Sequence, residues 1–142
     1  MKAKQLSVFI ENRQGRLGEV LNVLKKNGVN ILSLSLADTT EYGLLRLIVN
    51  NPELGKNKLS EEGFSTMLTD ILIIDIPHKS GSLQELLTLL SGGDINIEYM
   101  YGLSIDGENA SVVLKASDTE KAQEVLKNHG VKFLSSEDIA KL

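Results

Sequence analysis

The chain has 142 residues, 15 Lys and Arg against 19 Asp and Glu, a net charge of −4, and neither cysteine nor tryptophan. The negative balance gives no overall attraction for polyphosphate and argues against nucleic acid as a partner; the missing thiols exclude a disulfide framework, a thiolate metal site and a cysteine nucleophile. No apolar run approaches the twenty or so residues that span a bilayer, and none follows Met1-Lys2-Ala3-Lys4-Gln5, so the expectation is a soluble cytoplasmic protein with no membrane partner.

From the amino terminus, Leu6, Val8 and Ile10 fall on one face of an alternating segment and predict a strand. A turn at Asn12-Arg13-Gln14-Gly15 leads into Leu17, Val20, Leu21 and Leu24, the i, i+3, i+4, i+7 stripe of an amphipathic helix that Lys25-Lys26-Asn27-Gly28 terminates. Val29–Leu36 is the second strand, with Leu32, Leu34 and Leu36 on one face and Ser33 and Ser35 on the other. The polar segment from Asp38 to Gly43 turns the chain back into Leu44–Val49. Asn51-Pro52 supplies an N-cap and a first helical residue for a segment ending at Gly63, although Gly55 lies inside it. Phe64–Leu68 closes this half as a strand.

The second half repeats the order. Strands are predicted at Ile71–Ile76, Ile95–Leu103 and Ala110–Ala116, with a turn at Asp106-Gly107, and helices at Ser82–Ser91 and Asp118–Asn128. Ser82 with Glu85 and Ser117 with Glu120 have capping-box spacing, and Gly130 mirrors Gly63. Val131–Leu134 is a final strand, and Ser136–Leu142 a terminal helical turn.

The likeness between the halves extends to residue identities. At a constant offset of 66, Leu6, Ile10, Gly15, Leu17, Glu19, Leu21, Leu24, Asn30 and Ile31 recur as Leu72, Ile76, Gly81, Leu83, Glu85, Leu87, Leu90, Asn96 and Ile97. Chance would supply roughly two such matches. The chain is therefore read as a duplication, with one domain at 1–69, a second at 70–142 and only Thr69 and Asp70 between them. Each half has the order βαββαβ, which closes as a ferredoxin-like α+β unit with both helices on one face of an antiparallel sheet. Cores this small supply only a few kcal/mol, so pairing within the chain or as a homodimer is expected.

In both halves the first strand runs through a glycine turn directly into a helix. Such a turn aims the unpaired N–H groups of the first helical turn, with the positive end of the helix dipole behind them, at a site for an anion. Asn12 and Asn30 flank that helix and offer amide donors to a carboxylate and an acceptor to an ammonium group. The same residues also serve purely local roles, Asn12 as a helix cap and Asn30 as a turn residue.

The motif Glu11-Asn12-Arg13-Gln14-Gly15-Arg16-Leu17 followed by Gly28-Val29-Asn30-Ile31 resembles the ACT domain, the amino-acid-sensing module of many biosynthetic enzymes, particularly the serine-sensing domain of phosphoglycerate dehydrogenase. The resemblance covers both halves. It implies two ACT-like units side by side with a continuous eight-stranded antiparallel sheet, and a non-catalytic sensor that binds a free amino acid at the domain interface. It further implies regulation of a biosynthetic enzyme or of the protein's own assembly, without a cofactor or metal. Carried over by position, Asn12, Arg13, Gln14, Gly15, Arg16, Leu17 and Asn30 form the first candidate pocket. His78, Lys79, Ser80, Gly81, Ser82, Leu83 and Asn96, with Met100 and Tyr101 from the next strand, form the second. The sequence departs from the pattern at Gln14 and Ser80, where proline is usual, and at Ile10, where serine-sensing relatives carry histidine; His78 in place of Asn12 makes the two pockets unequal. Tyr99 and Tyr101 either line a pocket or cover the sheet.

Three other readings stand beside this one. A structural regulatory subunit needs no ligand. An acylphosphatase-like hydrolase would use Arg13, Arg16 and Asn30 on the same fold, but its glycine-rich loop is missing. His78 and His129, far apart and without cysteine, make a poor metal pair.

Overall fold

A computed structural model describes residues 2–11, 13–38, 42–106 and 109–141. Asn12, parts of the turns predicted at 38–43 and 106–107, and Leu142 lie outside the described residues. The chain divides into two compact units, one of Lys4–Thr69 with Ile139–Leu142 and one of Asp70–Asp138 with Met1–Ala3.

The first unit contains β1 (Ala3–Glu11), α1 (Arg16–Lys26), β2 (Ile31–Asp38), β3 (Tyr42–Val49), α2 (Pro52–Glu61) and the start of β4 (Ser65–Pro77), in the sheet order β2-β3-β1-β4. The second takes the rest of β4, then α3 (Ser82–Gly92), β5 (Ile97–Asp106), β6 (Asn109–Ala116), α4 (Thr119–Asn128) and β7 (Lys132–Leu134), ordered β7-β4-β6-β5. The expected eight strands are corrected to seven among the described residues. Thr69 and Asp70 do not break the chain between Phe64–Leu68 and Ile71–Ile76; both continue the extended backbone of β4. A short helix, α5 (Ser136–Ala140), follows, its first turn fixed by Ser135 N–H and Oγ donating to Asp138 Oδ2 and by Asp138 N–H donating to Ser135 Oγ.

Each unit buries one face of its sheet under its two helices. In the first, Leu6, Val8, Leu45 and Leu47 meet Val20 and Leu24 of α1 and Leu59 of α2; in the second, Leu72, Ile74 and Leu114 meet Leu86 and Leu90 of α3 and Leu126 of α4. Burying one such leucine contributes about 1.5–3 kcal/mol. Gly55, which weakened the prediction of α2, has a packing reason: a Cβ there would lie 3.0 Å from Leu6 Cδ2 and 3.3 Å from Leu24 Cδ2. The matching residue of α4 is the fully buried Ala122, the next smallest side chain.

The helix ends are also duplicated. All four long helices close with paired bonds from the two residues beyond their ends, as in Val29 N–H to Leu24 O with Gly28 N–H to Lys25 O, and Ile95 N–H to Leu90 O with Asp94 N–H to Ser91 O. The left-handed residue of that motif is Gly28, Gly63 or Gly130 in three of them, but Asp94 (φ 58°) in α3. The capping boxes predicted at Ser82 and Ser117 are not formed. Gly81 caps α3 without a side-chain bond, and Asp118 Oδ1 accepts from Lys121 N–H to cap α4. Asn51 caps α2 as predicted.

One register detail accounts for the different apolar patterns of β2 and β5. Leu34 lies opposite Leu47 and Met100 opposite Leu114, so both are on the helix-side face. Ser33 and Ser35 therefore correspond to Tyr99 and Tyr101 on the other face, and the strands keep the same parity. Between Gly102 and Ser104, β5 has an additional bulge, which places an extra residue in the second copy and changes the offset from 66 to 67 thereafter.

Candidate functional site

The two predicted loops have the same backbone. Gly15 (φ 88°, ψ −15°) and Gly81 (φ 87°, ψ −12°) are helix N-caps in the left-handed region, where a Cβ would clash with the backbone's own atoms. Around them, Arg13 N–H donates to Glu11 O, Arg16 N–H to Arg13 O and Glu19 N–H to Gly15 O; the second copy repeats these with Lys79 to Pro77, Ser82 to Lys79 and Glu85 to Gly81. No side chain caps either helix. The arrangement presents backbone donors at the positive end of each helix dipole, chemistry suited to a carboxylate or another small anion.

Asn30 and Asn96 are exposed, and the main chain of each is clamped by a residue that the sequence reading missed. Asn30 N–H donates to Asn50 Oδ1 (2.9 Å) while Asn50 N–H returns to Asn30 O (3.1 Å). In the second copy Asn96 N–H donates to Ser117 Oγ (3.1 Å) and Ser117 N–H to Asn96 O (2.8 Å). Ser117 is thus held by the strand entry instead of the helix it was expected to cap. The only sequence signal was a polar residue directly before each Asn51 or Asp118 cap.

The other predicted residues fall into different environments. Arg13 is exposed and pairs with Glu11 at 2.9 Å, and Gln14, His78, Lys79 and Ser80 are exposed in the turns. Leu17 packs partly on the first core, whereas Leu83 is 43% exposed. Met100 packs against the second core, and Tyr101, next to it, is on the opposite face of β5 beside Val113.

Arg16 is directed along its own helix. Its Nη1 donates to Glu19 Oε2 at 2.6 Å, its Cζ lies 4.3 Å above the centre of the Phe64 ring, and its Nε is buried with no partner. The guanidinium fills a groove between α1 and the end of α2, leaving a recess of about 220 Å³. The equivalent groove in the second unit is open. Ser82 stands in place of Arg16 and Val131 in place of Phe64, and a cavity of about 420 Å³ extends from α3 to the turn after α4. Ser82 borders it; Gly81, Leu83, Asn96, Met100 and Tyr101 do not.

Two ferredoxin-like units, each entering its first helix through a left-handed glycine, place the chain among duplicated α+β proteins. It belongs to the ACT domain pair family, which it matches over residues 1–142. Among solved structures it is similar to protein BT0572 from Bacteroides thetaiotaomicron, with 39% identity over 100% of this chain and 98% of that one and a TM-score of 0.94. The fold is shared with the regulatory subunit of aspartate kinase from Thermus thermophilus (17% identity, 88% of this chain and 91% of that one, TM-score 0.63) and from Thermus flavus (15%, 90% and 92%, TM-score 0.61). Among proteins of curated function, none matches. Among the described residues no helix is long and apolar enough to cross a membrane, and no three His, Asp or Glu side chains form a metal-binding group.

Proposed function

We propose that the protein is a non-catalytic sensor that holds a free amino acid against its glycine-capped loops and passes the binding on to an enzyme of amino-acid metabolism or to its own assembly. The observation that carries this reading is the duplicated loop backbone at Gly15 and Gly81, with no side chain in the capping position. The ligand carboxylate takes the first-turn N–H groups, and the Asn30 or Asn96 amide takes its ammonium group. The shared fold with regulatory subunits of aspartate kinase supports an enzyme partner of that metabolic class. Exposed Leu34 and Leu36 on β2, which pairs only with β3 among the described residues, support assembly as a homodimer. A ligand this small binds in the micromolar to millimolar range, about −8 to −4 kcal/mol, and regulates only if it prefers one assembly state over another.

A thermal-shift screen of the twenty amino acids tests the proposal. At a hundred times its Kd the ligand stabilises the chain by about 2.7 kcal/mol, and the shift falls in Asn30→Ala or Asn96→Ala. Absence of a shift with every amino acid refutes sensing and leaves a structural subunit, tested by co-purification with a large biosynthetic enzyme. Phosphate release from acetyl phosphate, lost in Arg16→Ala, is the result that would establish hydrolysis instead.

A further inference from the structure

The two copies of the groove beside the first helix serve as mutual references. In the first unit the groove contains a cation on an apolar stem, the Arg16 side chain, paired with Glu19 and stacked on Phe64. In the second, the acceptor carboxylate is retained as Glu85 while the cation is replaced by Ser82 and the ring by Val131. A cavity of about 420 Å³ results, at the lower end of the range for small-molecule sites. Ser82 is 6% exposed, and its Oγ is buried with no partner. A buried hydroxyl left without a bond keeps its desolvation cost, which a ligand donor or acceptor would recover.

We propose that this cavity, between α3 and the turn after α4, binds the guanidinium or ammonium group of a small organic cation in the place that Arg16 occupies in the other copy. Glu85 supplies the countercharge. The C-terminal end of α4 adds the negative end of its dipole. His129 donates from Nδ1 to Val125 O (2.8 Å), which leaves Nε2 as its remaining ring nitrogen and, in the neutral ring, an acceptor. Leu86, Leu89 and Val131 receive the apolar stem. Asp75 and Lys132 also border the cavity as opposite partners on the β4–β7 ladder, so the lysine's charge is matched by an adjacent carboxylate and Glu85 remains for the ligand. This site shares Pro77 and Ser82 with the Gly81 loop but uses the Ser82 side chain and the groove beside α3 instead of the loop's backbone donors, and neither proposal rests on the other.

The test is an NMR titration of the full chain with n-butylguanidinium chloride and with n-butylurea, its neutral isostere. The expected result is saturable shifts of the Ser82, Glu85 and Gly130 amides with the cation and at least tenfold weaker binding of the urea. Glu85→Gln, at an exposed position, weakens cation binding at least tenfold. Ser82→Arg combined with Val131→Phe rebuilds the plug of the first copy and abolishes binding, while first-unit amides report that the fold is intact. Equal binding of cation and urea, no saturable shift, or binding undiminished in Glu85→Gln overturns the proposal. Asn96→Ala leaves cation binding unchanged, so failure of the loop reading and failure of this one are distinguished.

Discussion

Replacing Arg16 with serine gives the first unit the residue that its counterpart carries, and its cost follows from the contacts that Arg16 makes. The guanidinium over Phe64 is worth about 1 kcal/mol in a partly desolvated setting, and its side chain is only 18% exposed. The i,i+3 pair with the half-exposed Glu19 adds no more than about 0.5 kcal/mol. Serine keeps the Cβ methylene, and the two stem methylenes removed would contribute about 1.6 kcal/mol if fully buried, and about half that on an open groove. Against these, removing the buried, unpartnered Nε returns about 1 kcal/mol. The net expectation is a loss of about 1.3 kcal/mol from the first unit. Because the two units need not unfold together, the assay is native-state amide exchange, read at Val20 and Leu24 for the first unit and at Leu86 and Leu90 for the second. Protection falls about tenfold at the former pair, and 1 M NaCl removes only the small ion-pair part. Arg16→Lys keeps the stem and the ion pair and has no unpartnered Nε, so it recovers most of the loss even though an ammonium group cannot stack as a plane. Unchanged protection in Arg16→Ser would refute the assignment of this stability to the Arg16 side chain.

The remaining predictions concern backbone and edge. Gly15→Ala costs about 1–2 kcal/mol from its positive φ alone, since no neighbour crowds a Cβ there, whereas Gly18→Ala, in open space on the same helix, gains about 0.5–1 kcal/mol; paired urea titrations check the difference in sign. Asp94→Gly gains up to about 1 kcal/mol by relieving a left-handed aspartate, read as a higher midpoint at constant m. If β2 joins two copies, Leu34→Lys shifts the mass measured by light scattering to that of one chain; an unchanged mass refutes the use of that edge.

The element order was legible because each unit states its period plainly: alternation at Leu6, Val8 and Ile10, and a helical stripe at Leu17, Val20, Leu21 and Leu24. The glycine turns were legible too, since a glycine before a helix stripe marks a backbone that other residues adopt only with strain. Three things were not. The continuity of β4 was hidden because Thr69 and Asp70 have the composition of a turn, and only the backbone trace distinguishes them from one. Hydroxyl and amide side chains have several local partners within reach, so Ser117 was assigned to a helix cap although it holds Asn96. The cavity at Ser82 depends on what is missing at two positions far apart in sequence, and no local motif records an absent arginine and an absent ring together.

Divergence between the copies therefore has a consistent physical location. Loop glycines, helix ends and the clamp on each asparagine keep their backbone geometry even where the residue has changed, as at Asp94 for Gly28 and Ser117 for Asn50. Side chains facing the grooves and turns have changed in size and charge: Arg16 to Ser82, Phe64 to Val131, Glu62 to His129. A duplicated frame with altered linings allows two copies to differ in what they bind at little cost in stability, since the backbone bonds that hold the frame are common to both. Exchanging Ser82 and Val131 for the arginine and phenylalanine of the first copy should then remove the cavity without disturbing the Gly81 loop, whose bonds are all made by backbone atoms. A displaced Gly81 loop in that variant would mean that the groove and loop are one device, and that their side chains cannot diverge independently.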